Sequence, residues 1–177
     1  MAFFGDPCRT QNPQQLVSVW ENHKARGGPD REWFSPSDFS DWRDQNSSFS
    51  HLAALNDWAP TLTGRDEPEA LVGALVSHDM FTMLGVAPVL GRSFLPEEDR
   101  PNAANVVMLS HELWQRRFNS DQAIVGKSIS LNQESYSVVG VMPAGFQLPD
   151  HSRRATVATN PAGAQPVVPA WVVWCCA

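Results

Sequence analysis

One stretch of this sequence has nearly the residue types and spacing of a metal hydrolase. In the helical zinc-protease pattern, two histidines four positions apart bind the metal, and a glutamate after the first acts as general base. Here the sequence reads His111-Glu112-Leu113-Trp114-Gln115, with a glutamine where the second histidine should stand. Because one of the two helical ligands is missing, the segment is better interpreted as an ordinary helix start, and no metal ligand is predicted.

A second candidate is the adjacent pair His78 and Asp79, since a histidine with a carboxylate partner can serve as a general base. Neighbouring residues at a helix start point apart, and a capping role already accounts for Asp79. Neither a Gly-x-Ser-x-Gly nucleophile motif nor a glycine-rich phosphate loop occurs. The sequence therefore predicts no catalytic residue and no cofactor.

Three consecutive acids, Glu97, Glu98 and Asp99, offer the hard oxygen ligands that calcium prefers. They lack the alternating ligand spacing and the central glycine of a known calcium-binding loop. A short, solvated acidic turn is the preferred interpretation of this segment.

Seven tryptophans leave a function of another class open. Trp20, Trp33, Trp42 and Trp58 could together offer a surface on which sugar rings stack. The chain would then be a freestanding carbohydrate- or peptide-binding module. Aromatic residues at helix-face spacing more often belong to a core. The binding module is therefore the alternative hypothesis and not the preferred one.

Composition argues against several classes of function. The net charge is −6, charged residues make up 18%, and no basic run occurs, so nucleic acid is not an expected partner. The longest apolar run, residues 167–177, is interrupted by Pro169 and is far shorter than the roughly 20 residues of a membrane-spanning helix. The N-terminus lacks the pattern of a signal peptide. The three cysteines, Cys8, Cys175 and Cys176, predict neither a disulfide framework nor a zinc site.

The elements that must position these residues are predicted from strand patterns and helix caps. Small and apolar residues at 71–76 predict a half-buried strand. Ser77 is expected to cap a short helix after that strand, and Gly85 is expected to end it. The same capping device predicts helices that begin after Ser35 and after Ser110.

The remaining elements are strands. Short ones are predicted at 16–20 and 106–109, and residues 126–141 are predicted to form a hairpin that turns at Asn132-Gln133. Glycine is the residue best suited to positive φ in such a turn, so with Gln133 in its place the sequence leaves the tightness of the hairpin open. Residues 151–177 lack caps and a clear period, which predicts an irregular or disordered tail.

Six segments of the sequence occur in the order that one family of transport proteins shows. They are PQQLVSVWE (13–21), SPSDFSDWRDQN (35–46), FTMLGVAPVLGRSFLPEED (81–99), LSHELWQRRF (109–118), IVGK (124–127) and YSVVGVMP (136–143). Taken together, these segments resemble the periplasmic core domain of MacB-like and FtsX-like ABC transporter permeases. The resemblance covers about residues 13–150.

The resemblance implies an α+β fold, with a porter-like βαβ lobe and a second β-rich lobe that is incomplete at the C-terminal side. It divides the chain into a flank at 1–12, a partial core domain at 13–150 and the tail at 151–177. The neighbouring membrane helices and the second half of the periplasmic domain are missing from the sequence, so a truncated fragment is expected.

The resemblance also implies a function without catalysis. In the intact parent, the domain would lie on the periplasmic side of the inner membrane and couple conformational change to export of a substrate. The implied partners are the membrane helices of the permease, a cytoplasmic ATPase and, as a further candidate, a second permease copy. The resemblance brings no catalytic, cofactor-binding or metal-binding residue with it.

Overall fold

The computed structural model of the chain describes residues 16–19, 21–28, 30, 35–64, 67–100, 102–148, 157–159 and 172–176. The elements in these ranges are β1 (Leu16–Val19), α1 (Pro36–Gln45), β2 (His51–Trp58), β3 (Thr61–Thr63), β4 (Glu69–Ala70), β5 (Gly73–Val76), α2 (Met80–Met83), β6 (Leu90–Gly91), β7 (Val106–Leu109), α3 (His111–Phe118), β8 (Ser128–Leu131), β9 (Glu134–Val141), β10 (Val157–Thr159) and β11 (Val172–Cys176). Two 3₁₀ turns lie at Lys24–Arg26 and Pro96–Asp99. The second of these is called the acidic turn below.

The described strands pair into one sheet, in the order β1-β11-β2-β5-β10-β7-β9-β8-β3-β4, and β6 also pairs with β9. Because β1 and β2 both run antiparallel to β11 between them, they are parallel to each other, and α1 connects them. The parallel neighbours β7 and β9 are connected through α3 and β8. These two crossovers and the strands beyond β9 confirm the predicted α+β fold. Its βαβ part and its β-rich part belong to the same sheet.

Alternation along the strands divides the buried side chains between the two faces of the sheet. On β7, Val106 and Met108 belong to a cluster that includes α2, whereas Val107 and Leu109 belong to a cluster that includes α3. A third cluster packs Phe39 of α1 against β2. The helices α1 and α3 thus cover one face of the sheet, and α2 covers the other.

A register shift in the middle of the sheet brings two glycines together. Val107 and Met108 of β7 are paired with Val138 and Gly140 of β9, so one residue of β9 is passed over. At the same place β6 pairs with the other edge of β9, with Gly91 opposite Gly140. A Cβ at Gly140 would lie 2.7 Å from the carbonyl oxygen of Arg92, so only glycine allows this close approach.

The β8–β9 hairpin is tight, although its turn lacks a glycine. Asn132 and Gln133 have φ angles of 53° and 68°, as a two-residue hairpin turn requires. The side-chain oxygen of Asn132 accepts a hydrogen bond of 2.8 Å from the Thr61 amide, and the Asn132 amide donates one of 2.9 Å to the Thr61 carbonyl. These bonds to β3 offset the cost of left-handed backbone without glycine.

The prediction of an irregular tail at 151–177 is wrong for two segments. β10 lies between β5 and β7, and β11 lies between β1 and β2. β10 has only three residues, too few to show a period, and β11 is a continuous apolar run without the alternation that marks a half-buried strand. The predicted flank at 1–12 lies outside the described residues, and none of the described helices is long and apolar enough to cross a membrane.

Candidate functional site

Three of the four predicted cap residues lie at helix ends. Ser35 and Ser110 precede α1 and α3, and their hydroxyls accept hydrogen bonds of 3.1 and 3.2 Å from the amides of Asp38 and Leu113. Gly85 follows α2 with a φ of 66°, and two backbone hydrogen bonds close the helix there. These residues hold the framework in place and carry no chemistry of their own.

Ser77 does not cap α2, which corrects the fourth prediction. Its hydroxyl accepts a hydrogen bond of 2.9 Å from the amide of Ala54 on β2, and its own amide donates one of 3.0 Å to the Ala54 carbonyl. The α2 helix begins at Met80, after Asp79, which makes no side-chain cap hydrogen bond. Ser77 and Ala54 are both buried, and a buried amide needs an acceptor, so the hydroxyl serves the sheet instead of the helix.

His78 lies between two carboxylates. Its Nδ1 is 3.1 Å from Oδ2 of Asp99 in the acidic turn, and its Nε2 is 3.4 Å from Oδ1 of Asp79. Arg43 of α1 lies 3.6 Å from the same Asp99 oxygen, and the Asp99 side chain is only 6% exposed. These four residues are called the His78 cluster. The sequence indicated Asp79 as a neighbour of His78 but gave no signal for Asp99 or Arg43.

The electrostatics of the His78 cluster favour a protonated imidazole. The hydrogen bond to Asp99 is the main cause that raises the pKa of His78, and the charge of Asp79 adds to it, whereas burial and Arg43 lower it. Both ring nitrogens face carboxylate oxygens, as they do in an ion-paired histidine. The cluster is therefore suited to joining α1, the start of α2 and the acidic turn.

The acidic turn is less solvated than predicted. The buried Glu98 accepts two hydrogen bonds of 2.9 and 2.6 Å from the Arg92 guanidinium and one of 2.8 Å from the Leu95 amide. Burial raises the pKa of Glu98, but the bonds from Arg92 and Leu95 outweigh it and leave the pKa below its usual value. Glu97 is exposed. With Glu98 bound to Arg92 and Asp99 bound to His78, the three acids do not converge on one point.

The residues of the zinc-like segment also have other contacts. His111 packs edge-on against Trp114, with ring centroids 5.4 Å apart, and Glu112 accepts a hydrogen bond of 3.4 Å from the Gly145 amide. Within the described ranges, no group of three His, Cys, Asp or Glu residues could hold a metal ion.

Three of the tryptophans contribute to packed clusters. Trp42 packs edge-on against Phe49 at 6.2 Å between ring centroids, and Trp58 packs against Tyr136 at 5.5 Å. Trp114 is 6% exposed, while Trp42 and Trp58 are partly buried against different apolar clusters. These three do not form a shared stacking surface. Trp20 and Trp33, from the same prediction, lie outside the described residues.

A cavity of about 230 Å³ lies between the end of α3, the loop that follows it, and strands β3 and β8. Its lining includes two cations, Arg117 and Lys127, and one carboxylate, Asp121. No local pattern predicts this cavity, because its walls come from segments that are far apart along the chain.

Comparison with known proteins places this fold among transport proteins. A family model described as the MacB-like periplasmic core domain matches residues 6–165. The periplasmic region of MacB from Actinobacillus actinomycetemcomitans is similar in structure, with a TM-score of 0.65 and 10% identity over 91% of this chain and 73% of that one. The extracellular domain of the noncanonic ABC-type transporter YknZ from Gram-positive bacteria is also similar in structure, with a TM-score of 0.63 and 11% identity. The match covers 90% of this chain and 80% of that one. No curated protein sequence matches the chain.

Proposed function

Because this chain belongs to the MacB-like periplasmic core domain family of ABC transporter permeases, we propose that it is a non-catalytic coupling domain outside the cytoplasm. In this proposal the domain changes its pose when the membrane helices of the permease move, and so assists export of a substrate across the inner membrane. The observation that carries the proposal is the family match over residues 6–165.

The contacts around the acidic turn support a mechanical role. A domain that transmits movement has to keep its shape under load, and two ion-pair sites brace the segment between β5 and β7. The His78 cluster joins this segment to α1, and the bidentate Arg92–Glu98 pair joins the residue after β6 to the acidic turn. Bidentate pairs fix geometry as well as adding energy, so this region should move as one body.

The proposal includes the partners and the place of action. The partners are the membrane helices of the permease, a cytoplasmic ATPase and a second permease copy. The place of action is the periplasmic side of the inner membrane. No step of this function makes or breaks a bond in the domain, in keeping with a His78 cluster whose groups bind one another.

Coupling can be measured without knowing the substrate. The parent permease and its ATPase are placed in lipid nanodiscs, Cys8, Cys175 and Cys176 are replaced by serine, and a donor dye is attached through Val89→Cys. Val89 is 56% exposed, so the dye should not disturb packing. Energy transfer to acceptor-labelled lipid headgroups is expected to change when ATP and vanadate are added.

The matched control is a donor and acceptor pair at Val72→Cys and Val89→Cys, both exposed positions of the same domain. Transfer within this pair is expected to stay constant, since the domain moves as one body. If transfer to the lipid does not respond to nucleotide, the coupling function is wrong. If transfer to the lipid and transfer between positions 72 and 89 both change, the domain deforms, and the inference that it moves as one body is wrong.

A further inference from the structure

We propose that the cavity beside the end of α3 binds a small amphiphilic anion, with an acidic head group and a short hydrocarbon body. The cavity of about 230 Å³ corresponds to the volume of roughly seven or eight water molecules in the liquid, at about 30 Å³ each, which is enough for a small ligand. The proposal concerns binding by the chain itself and stands apart from the coupling function.

The floor of the cavity is apolar and is fixed by core packing. Leu62, Phe118, Ile124 and Ile129 line it, and each of them is at most 8% exposed. All four belong to the cluster that packs α3 on the sheet. A floor that is already ordered can cover a hydrocarbon chain without the cost of arranging new side chains.

Hydroxyl groups line one wall, where β3 and β8 meet. Thr63 donates a hydrogen bond of 2.9 Å to the Ser130 hydroxyl across the two strands, and both residues line the cavity. The Ser130 hydroxyl still has a proton to donate to a ligand. The wall therefore offers a neutral donor beside the apolar floor.

The charges on the lining favour an anion. Lys127 and Arg117 face the cavity with a single carboxylate, that of Asp121, although the whole chain carries a net charge of −6. Arg117 lies 3.3 Å from Glu69, which also binds Arg116 at 2.6 Å. On the lining itself the two cations outnumber the one carboxylate, and such a surface attracts small anions.

Lys127 is the cation best placed to receive the head group. Its Nζ lies 2.6 Å from Oδ2 of Asp121, and its side chain is 48% exposed. The other oxygen of Asp121 accepts a hydrogen bond of 2.9 Å from the Ala123 amide, which holds the carboxylate in place. The long lysine stem can therefore turn its ammonium toward a ligand while Asp121 keeps its position.

Calorimetric titration of the full chain with four eight-carbon probes tests the proposal. Octanoate and octyl phosphate are expected to bind with one site per chain, and octanol and octylamine at least about tenfold more weakly, a difference set by the head group. The tighter of the two anions identifies the preferred head group. If octanol or octylamine binds as tightly as both anions, or if neither anion binds, the proposal is overturned.

Variants locate the site. Lys127→Gln is expected to weaken octanoate binding by about five- to tenfold, and Lys127→Arg, which keeps the charge, to restore most of it. Lys24→Gln is the matched control, since Lys24 is the other lysine of the chain and also pairs with an aspartate, Asp30. Equal affinities for the Lys127→Gln and Lys24→Gln variants would show that the anion binds elsewhere and would overturn the assignment. Thermal melts of each variant confirm that the chain stays folded.

Discussion

Nδ1 of His78 lies 3.1 Å from Oδ2 of Asp99, and this contact joins the start of α2 to a turn 21 residues further along the chain. Arg43 approaches the same oxygen from α1. Three elements therefore meet at one carboxylate, and a change at His78 should be felt by all of them.

Stability should depend on the protonation of His78. Its pKa is raised in the folded chain, so folding favours the protonated form. This contribution is fully present below the unfolded-state pKa of about 6.5 and is lost as the pH rises through the folded-state pKa. Urea unfolding at several pH values between 5.5 and 9 should show this decline for the native chain and a smaller one for His78→Gln. His51→Gln is the control, and an unchanged pH profile in His78→Gln would contradict the assignment.

Removing the Glu98 carboxylate should lower the stability of the folded chain. Glu98→Gln loses the charge that holds Arg92 in two hydrogen bonds, in a position where the glutamate side chain is only 11% exposed. We expect a loss of about 1–3 kcal/mol in the free energy of unfolding. Glu97→Gln, at the exposed neighbouring position, should change it by less than about 0.5 kcal/mol. Equal effects of the two variants would mean that the Arg92 pair contributes nothing.

The same carboxylate predicts a second pH dependence. The pKa of Glu98 is lowered in the folded chain, so its contribution is present above the unfolded-state pKa and is lost as the pH falls through the folded-state pKa. Acid unfolding of the native chain should therefore be steeper than that of Glu98→Gln, as followed by circular dichroism below pH 5. If the native chain and the Glu98→Gln variant unfold in acid along the same curve, the pKa of Glu98 is not lowered by folding.

Ser77 should matter for the sheet and hardly at all for the helix that follows it. Ser77→Ala leaves the buried Ala54 amide without its side-chain acceptor. We therefore expect the free energy of unfolding to fall by about 1–3 kcal/mol. Hydrogen exchange should show the Ala54 amide losing protection. In contrast, Ser35→Ala removes a helix cap and should cost about 1 kcal/mol, with faster exchange at Asp38. Loss of protection at the start of α2 in Ser77→Ala, with Ala54 unaffected, would restore the capping interpretation.

Gly140→Ala should destabilise the chain, because the added methyl would lie 2.7 Å from the Arg92 oxygen and 3.1 Å from the Leu90 oxygen. Because backbone atoms cannot move aside as a side chain can, we expect the free energy of unfolding to fall by about 1–3 kcal/mol. Gly126→Ala, where an added methyl meets nothing within 4 Å but φ is 85°, isolates the cost of left-handed backbone at about 1–2 kcal/mol. Thermal unfolding compares the two. If Gly140→Ala is as stable as the native chain, β6 is not pressed against β9.

Local signals in the sequence were sufficient for some elements and insufficient for others. Ser35 and Ser110 could be recognised as caps because the amides that they accept from lie three residues away. Ser77 has the same sequence context, but its hydroxyl is taken by Ala54, 23 residues earlier, and no local pattern shows such a competitor.

The same limit explains what was missed around the candidate sites. Glu98 and Asp99 look solvated in sequence, and their burial depends on Arg92 and His78, which only the folded chain brings close. The lining of the cavity beside α3 extends from Leu62 to Ser130, so its parts become neighbours only after β3 has paired with β8.

The facing glycines Gly91 and Gly140 constrain how this sequence can diverge. A methyl added at Gly91 would lie 2.9 Å from the Cα of Gly140, and one added at Gly140 would run into the backbone of β6. A side-chain change at one of the two positions cannot relieve a clash at the other, because the added methyl meets backbone atoms. We therefore expect the two glycines to be retained together in related sequences, even where surface residues differ. A relative that lacks one of them should have a different backbone path around β6.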